Sequence, residues 1–360
     1  MSRIVIALGG NALGDTPAEQ IIKVQEPAKI ITKLVKDGHD VIIGHGNGPQ
    51  VGAIFNAFNK AHAIDDKIPF MPFAEAGAMS QGYIGLHINN ALSNELIRKG
   101  INREVVYLLT QTIVDKNDPA FSNPTKPVGP YYPTKEEAIR QNPLGSVITY
   151  INRRGYRRVV PSPKPITLMN LDVIKTALNN HQVVICGGGG GIPTIVEGNE
   201  YRFVDGVIDK DYVAAMVADQ VNADILVILT NVPNAFINYG TDKEQSIKDV
   251  TVKQMQKYID TKEFAAGSML PKVEACMKFV NNALNFSFVT RFAWYGMVGK
   301  GGLYYLVVIG VALVAVLINV FGCYRLYYFF AYHPVKESKK VRSIKTDSKQ
   351  SSICTSSSKR

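Results

Sequence analysis

The chain has few cysteines for its 360 residues: Cys186, Cys276, Cys323 and Cys354 lie far apart, with no C-x-x-C pair. Neither a zinc site nor a disulfide framework is expected from them, and a reducing compartment is. Thirty glycines occur without a G-X-Y period, which excludes collagen. The common nucleotide signatures are missing too. No G-x-x-x-x-G-K-[ST] occurs, so this is not a P-loop protein. No G-x-G-x-x-G occurs either, because Pro49 interrupts the run that starts at Gly44 and Gly46. The protein-kinase set of glycine loop, H-R-D and D-F-G is absent. The first apolar run, 4–8, is too short for the apolar stretch of a signal peptide, so none is expected. The net charge of +10 is not a property of the body: residues 336–360 hold eight Lys or Arg against Glu337 and Asp347, a net +6. That favours a solvated or membrane-proximal tail over a nucleic-acid partner.

What is present suits a core. Apolar residues make up 46% and charged residues 19%, which excludes wholesale disorder. The length predicts two or three domains or one large α/β unit. Apolar runs at 4–8, 41–43, 105–109, 159–160, 183–186, 225–229 and 286–289 read as buried strands. The stretches between them are long enough for crossover helices, the alternation of a mainly parallel sheet. Residues 117–165 break this pattern with nine prolines and little periodicity. They read as an insertion lying over the sheet as a lid, or as a long surface loop. Residues 303–324 carry no charge, have Asn319 as their strongly polar member and end in tyrosines. They read as a single membrane span leaving the preceding domain in the cytosol, or else as a buried strand plus a core helix.

Three glycine loops follow strands: Gly9-Gly10-Asn11, Gly44-His45-Gly46-Asn47-Gly48-Pro49-Gln50-Val51-Gly52, and Gly187 to Gly191. Backbone N–H groups in such loops can face phosphate oxygens. With no P-loop lysine, phosphate charge needs another neutraliser. Lys126 stands between prolines, Lys210 stands between Asp209 and Asp211, and Lys272 follows Pro271 at a helix start, where an anion is favoured. Taken singly, each lysine also reads as a solvated surface residue, and Asp209 and Asp211 as surface acids or a helix cap.

Taken together, these segments resemble carbamate kinases of the amino-acid-kinase superfamily. The resemblance is carried by the opening strand with Gly9-Gly10-Asn11, by Gly46 to Gly52, by Asn123-Pro-Thr-Lys126-Pro-Val-Gly129, by Val207-Ile-Asp209-Lys210-Asp211 and by Ala266-Gly-Ser-Met269-Leu-Pro-Lys272-Val-Glu274. It covers 1 to about 290, with a protruding subdomain at about 117–165. It implies an open αβα sandwich around a mainly parallel sheet, a homodimer, and reversible phosphoryl transfer between carbamoyl phosphate and Mg-ADP. That step harvests ATP at the end of arginine fermentation. It further implies that Lys126, Lys210 and Lys272 surround the moving phosphoryl group, with Asp211 holding Lys210. Gly9, Gly10, Asn11, Gly48 and Gly52 would cradle the substrate, and Thr230, Asn231, Tyr239 and Met269 would line the nucleotide cleft. After residue 290 the chain departs from the family's ending. The alternatives are another kinase of the superfamily, acting on N-acetylglutamate, aspartate, glutamate or UMP, and an inactive membrane-tethered scaffold.

Overall fold

The computed structural model describes residues 1–9, 13–142, 145–230, 232 and 234–281, and the backbone of 286–291 and 325–326. At its centre is a six-stranded sheet in the order Phe286–Arg291, Ile225–Thr230, Arg3–Leu8, Asp40–His45, Val183–Ile185, Val105–Tyr107. Every neighbouring pair is parallel. Alternate side chains of a strand point to opposite faces, so an unbroken apolar run means that both faces are covered. The core divides accordingly. Val5, Ala7, Ile42, Leu226 and Ile228 pack with residues of the helices Leu171–Asn179, Lys210–Gln220 and Met269–Asn281. Ile4, Ile6, Leu8, Val41 and Ile43 pack on the other side, under Gln25–Lys36 and Phe73–Arg98. The helix Phe73–Arg98 supplies Ile84, Ile88, Leu92 and Leu96, one residue in four along a single stripe.

The strand Arg3–Leu8 is the switch point of this sheet. Asp40–His45, the next strand, lies on one side of it, and the later strand Ile225–Thr230 lies on the other. A crevice opens beyond the carboxyl ends of strands where the order reverses, and ligands of open α/β sheets collect there. Gly9, Gly46, Gly187 and Thr230 all lie at those ends.

The region 117–165 is more regular than its sequence suggests. Lys126–Tyr132, Gly155–Val160 and Val147–Ile151 form a three-stranded antiparallel sheet, with the short helix Lys135–Arg140 between strands. Residues 159–160 belong to this sheet and not to the central one. The prolines hid it: Pro127 and Pro130 sit inside a strand whose register slips between Val128 and Tyr132, and such irregularities are where strands tolerate proline. A small core of Val51, Phe55, Phe73, Ala76, Val128 and Val160 docks it onto the helices Gly48–His62 and Phe73–Arg98. Glu200–Phe203, Ile192–Glu197, Gln111–Val114 and Pro165–Leu168 form a further, four-stranded sheet. Among the described residues no helix is long and apolar enough to cross a membrane. The span expected at 303–324 and the tail at 336–360 lie outside the described residues.

One glycine joins helix to sheet edge. Gly85 lies against Tyr107, and a Cβ added there would fall inside contact distance of the phenol ring. Alanine at a helical glycine ordinarily gains about 1 kcal/mol, whereas overpacking a core costs about 1–3 kcal/mol. Contact with a ring held at the sheet edge lets the second effect prevail. We expect Gly85→Ala to destabilise the protein by about 2 kcal/mol, read as a lower urea midpoint; an unchanged or higher midpoint would show that the ring moves freely.

Candidate functional site

Three helices begin at the crevice: Gly48–His62, Lys210–Gln220 and Met269–Asn281. Gly48, Lys210 and Met269 all line one cavity of about 490 Å³. Helix starts present unpaired N–H groups and the positive end of the helix dipole, so a cavity walled by three of them favours an anion. Proline in the first turn of the first of these helices, Pro49, removes no helical hydrogen bond. Asp209 caps the second: its carboxylate accepts from the Asp211 N–H at 3.0 Å.

Asp211 is the hub of the cavity. It is 2% exposed, and its two carboxylate oxygens accept from two ammonium groups, Lys210 Nζ and, at 2.7 Å, Lys272 Nζ. Burial alone would push this carboxyl up. The two adjacent cations outweigh burial and hold it below the usual carboxylate range. The neighbouring residues repeat the link, with the Tyr212 hydroxyl donating to Glu274. The helices carrying Lys210 and Lys272 are thus joined twice beside the cavity. Lys126 enters from the subdomain and donates to Asp209 Oδ2 at 3.1 Å.

The glycine run is shaped by its neighbours. Gly187, Gly189, Gly190 and Gly191 all have positive φ, a region that L side chains rarely adopt. A Cβ on Gly189 would strike the Asn47 amide, and one on Gly190 would strike the Ile208 carbonyl. The Gly187 N–H donates to Thr110 Oγ1 at 3.0 Å, and Gln81 grips the Thr110 backbone at both N (2.8 Å) and O (3.0 Å). His45 lies beneath the run, with Nδ1 3.0 Å from the Gly46 carbonyl and Nε2 without a partner among the described residues. Burial pushes its pKa down to about 4, and the neighbouring Lys210 adds to the shift, so the ring is neutral at pH 7.

The cavity wall contains Lys126, Lys210, Asp211, Lys272, Gly48, Thr230, Tyr239 and Met269 of the residues expected from sequence. Gly9 is not in the wall. It ends its strand so close to Ile225–Thr230 that an added Cβ would lie 2.7 Å from the Leu229 carbonyl oxygen. Gly52 is in the second turn of Gly48–His62 and off the wall. Gly10, Asn11 and Asn231 lie outside the described residues. Sequence reasoning did not select Asn47, Phe236, Glu263, Phe264 or Ser268, which also line the cavity. Ser268 adjoins the Lys272 helix and Asn47 sits in a glycine loop, so proximity to a motif was available as a signal for these two. No short pattern marks Phe236 or Phe264.

Removing the hub has a calculable cost. Asp211→Asn leaves two ammonium groups, 14% and 15% exposed, without their carboxylate. Breaking such a buried arrangement from one side costs about 3 kcal/mol. Because the folded pKa is depressed, the contribution of Asp211 is complete above the unfolded carboxylate value of about 4 and is lost as pH falls through the lower folded value. Urea unfolding should therefore separate Asp211→Asn from wild type at neutral pH and bring them together only in strong acid. Equal stabilities at neutral pH would contradict the hub.

Comparison with known proteins places this geometry. A sequence profile of the Amino acid kinase family matches residues 2–286. A carbamate kinase-like protein of Mycoplasma pneumoniae is 51% identical over 285 residues, 79% of this chain and 92% of that protein. Carbamate kinase 1 of Staphylococcus epidermidis is 48% identical over 287 residues, with the same two coverages. The solved carbamate kinase of Giardia lamblia bound to AMP-PNP is 40% identical, with a TM-score of 0.75 over 81% of this chain and 93% of that one. The matched span takes in five of the six strands of the parallel sheet, the strand that begins with Lys126 and the helices that carry Lys210 and Lys272, and the chain belongs to the amino acid kinase family, among its carbamate kinases.

Proposed function

We propose that this chain passes a phosphoryl group between carbamoyl phosphate and ADP as a carbamate kinase. The bond between phosphorus and the carbamoyl oxygen breaks, an oxygen of the ADP β-phosphate forms the new bond, and ATP and carbamate result. Carbamate then falls apart to carbon dioxide and ammonia. In this direction the reaction yields ATP, which suits the last step of arginine fermentation. The observation that carries the reading is the Asp211 hub, which fixes Lys210 and Lys272 side by side at a cavity that Lys126 enters from a separate subdomain.

Phosphoryl transfer needs alignment and charge neutralisation more than covalent help. Lys210 and Lys272 are pre-placed cations, since Asp211 restricts both ammonium groups before substrate arrives. Lys126 is different: it exchanges Asp209 for a phosphate oxygen when the substrate binds. The helix starts at Gly48 and Met269 add N–H donors around the phosphates. Val232, Phe236, Phe264 and Met269, with Thr230 and Tyr239, supply the less polar side chains of the wall, suited to the nucleotide base. Asn231, Gly10 and Asn11 join the proposal by position in the chain, and Gly9 and Gly52 act by letting backbone approach. Mg²⁺ is counted with the nucleotide substrate. Among the described residues no group of three His, Cys, Asp or Glu could hold a metal, and phosphate oxygens with water are ligands that Mg²⁺ favours. The reading includes a kinase domain over 1–290, its subdomain at 117–165, and a homodimer. It also includes, on length and composition alone, a membrane anchor at 303–324.

The test is ATP formation when the protein meets carbamoyl phosphate and Mg-ADP. Lys126→Ala, Lys210→Ala and Lys272→Ala should each lower kcat about a hundredfold or more, the effect of losing a charge that acts on the transition state. Wild-type turnover in all three variants would remove the site assignment. No ATP from the wild-type protein would remove the function.

A further inference from the structure

If Lys126 must leave Asp209 to meet the phosphoryl group, something else has to keep its strand in place. In the antiparallel register Lys126 pairs with Val160 and Val128 with Arg158, so these four residues share one face of the subdomain sheet. That face meets residues 205–209. Two ion pairs cross the junction four residues apart: Lys126 to Asp209 at 3.1 Å, and Arg158 to Asp205. Between them the Val207 N–H donates to the Pro161 carbonyl at 2.9 Å.

The two pairs are built differently. The Lys126 side chain is 33% exposed and lines the cavity. Arg158 is 5% exposed, lies outside the cavity wall, and carries its guanidinium over the Phe55 ring at 5.5 Å from the centroid. Phe55 belongs to the small core that docks the subdomain. A planar guanidinium stacked on an aromatic ring has little freedom, and a lysine cannot reproduce it. A buried cation also needs its carboxylate, whereas a half-exposed one can exchange it.

We propose that Arg158 and Asp205 are positioning residues. They anchor the Lys126 strand against the turn at Asp209–Asp211 while Lys126 exchanges Asp209 for the transferred phosphoryl group. This rests on the carbamate kinase reading for its catalytic consequence, but not for the anchor itself.

Asp205 has a side chain 51% exposed, so Asp205→Asn opens no cavity and its cost falls on the buried Arg158 that it leaves without a carboxylate; Arg158→Lys, which keeps the charge, serves as the second variant. In the unliganded full-length protein, hydrogen exchange should speed up in Lys126–Tyr132 for both variants and stay unchanged in Arg3–Leu8. In the ATP-forming assay kcat should fall about tenfold with KM for Mg-ADP unchanged. In a Lys126→Ala background, Asp205→Asn should add less than about a twofold loss, because the partner it acts through is gone. Unchanged exchange in Lys126–Tyr132 would overturn the anchor, and so would the full tenfold loss persisting without Lys126. A wild-type protein that makes no ATP would defeat the proposed function, and the exchange experiment, which needs no substrate, would still decide the anchor.

Discussion

A single buried carboxylate organises the crevice. Asp211 could not sit at 2% exposure with a negative charge unless that charge were answered, and it is answered twice. Each carboxylate oxygen holds one ammonium group, so the carboxylate fixes the spacing of two cations that would otherwise repel each other. In the low dielectric of the interior that repulsion would be severe. The arrangement also joins two helices whose other ends run back under the sheet. The charge geometry of the site and the packing of the core are therefore one problem with one solution.

The remaining parts of the crevice follow from where the sheet reverses. Strand Arg3–Leu8 separates a first set of strands from a later one, and the loops that leave the strands at this point face each other. The glycine run at Gly187 to Gly191 fills the gap between Asn47, Thr112 and Ile208 with backbone, because no side chain fits there. Neutral His45 beneath it adds bulk without adding charge to a region that already holds Lys210. The crevice thus keeps its lysines on the wall and a neutral imidazole behind it.

Much of this was legible in the sequence, for a physical reason. Strands covered on both faces must be apolar at every position, and 4–8, 41–43, 183–186 and 225–229 announce themselves that way. The subdomain strands do not. Val147–Ile151 is largely exposed and Lys126–Tyr132 contains two prolines, so neither alternation nor apolar runs survive. Lys126, Lys210 and Lys272 stood out because prolines or carboxylates flank them. Glycine is harder to interpret, since its absence of a side chain serves close packing and ligand approach alike. Gly9 read as a phosphate contact, and its neighbour in space is a carbonyl of the adjacent strand. Phe236 and Phe264 contribute shape alone, and shape leaves no short pattern.

The distances along the chain between partners at the site have a consequence for how the protein matures. Lys126 and Asp209 are 83 positions apart, and Asp211 and Lys272 are 61 apart. Closing loops of that length gains nothing until the pairs at their ends form. A nascent chain that has emerged only as far as Asp211 holds a carboxylate with one of its two cations, and the strand Phe286–Arg291 that completes the sheet has yet to arrive. The cavity at the helix starts is consequently among the last features to be assembled, and a polyanion bound there would reward only the finished fold. Substrate then acts as a thermodynamic inspector: through mass action it favours the chains that have closed both long loops and leaves partly folded ones without that stabilisation.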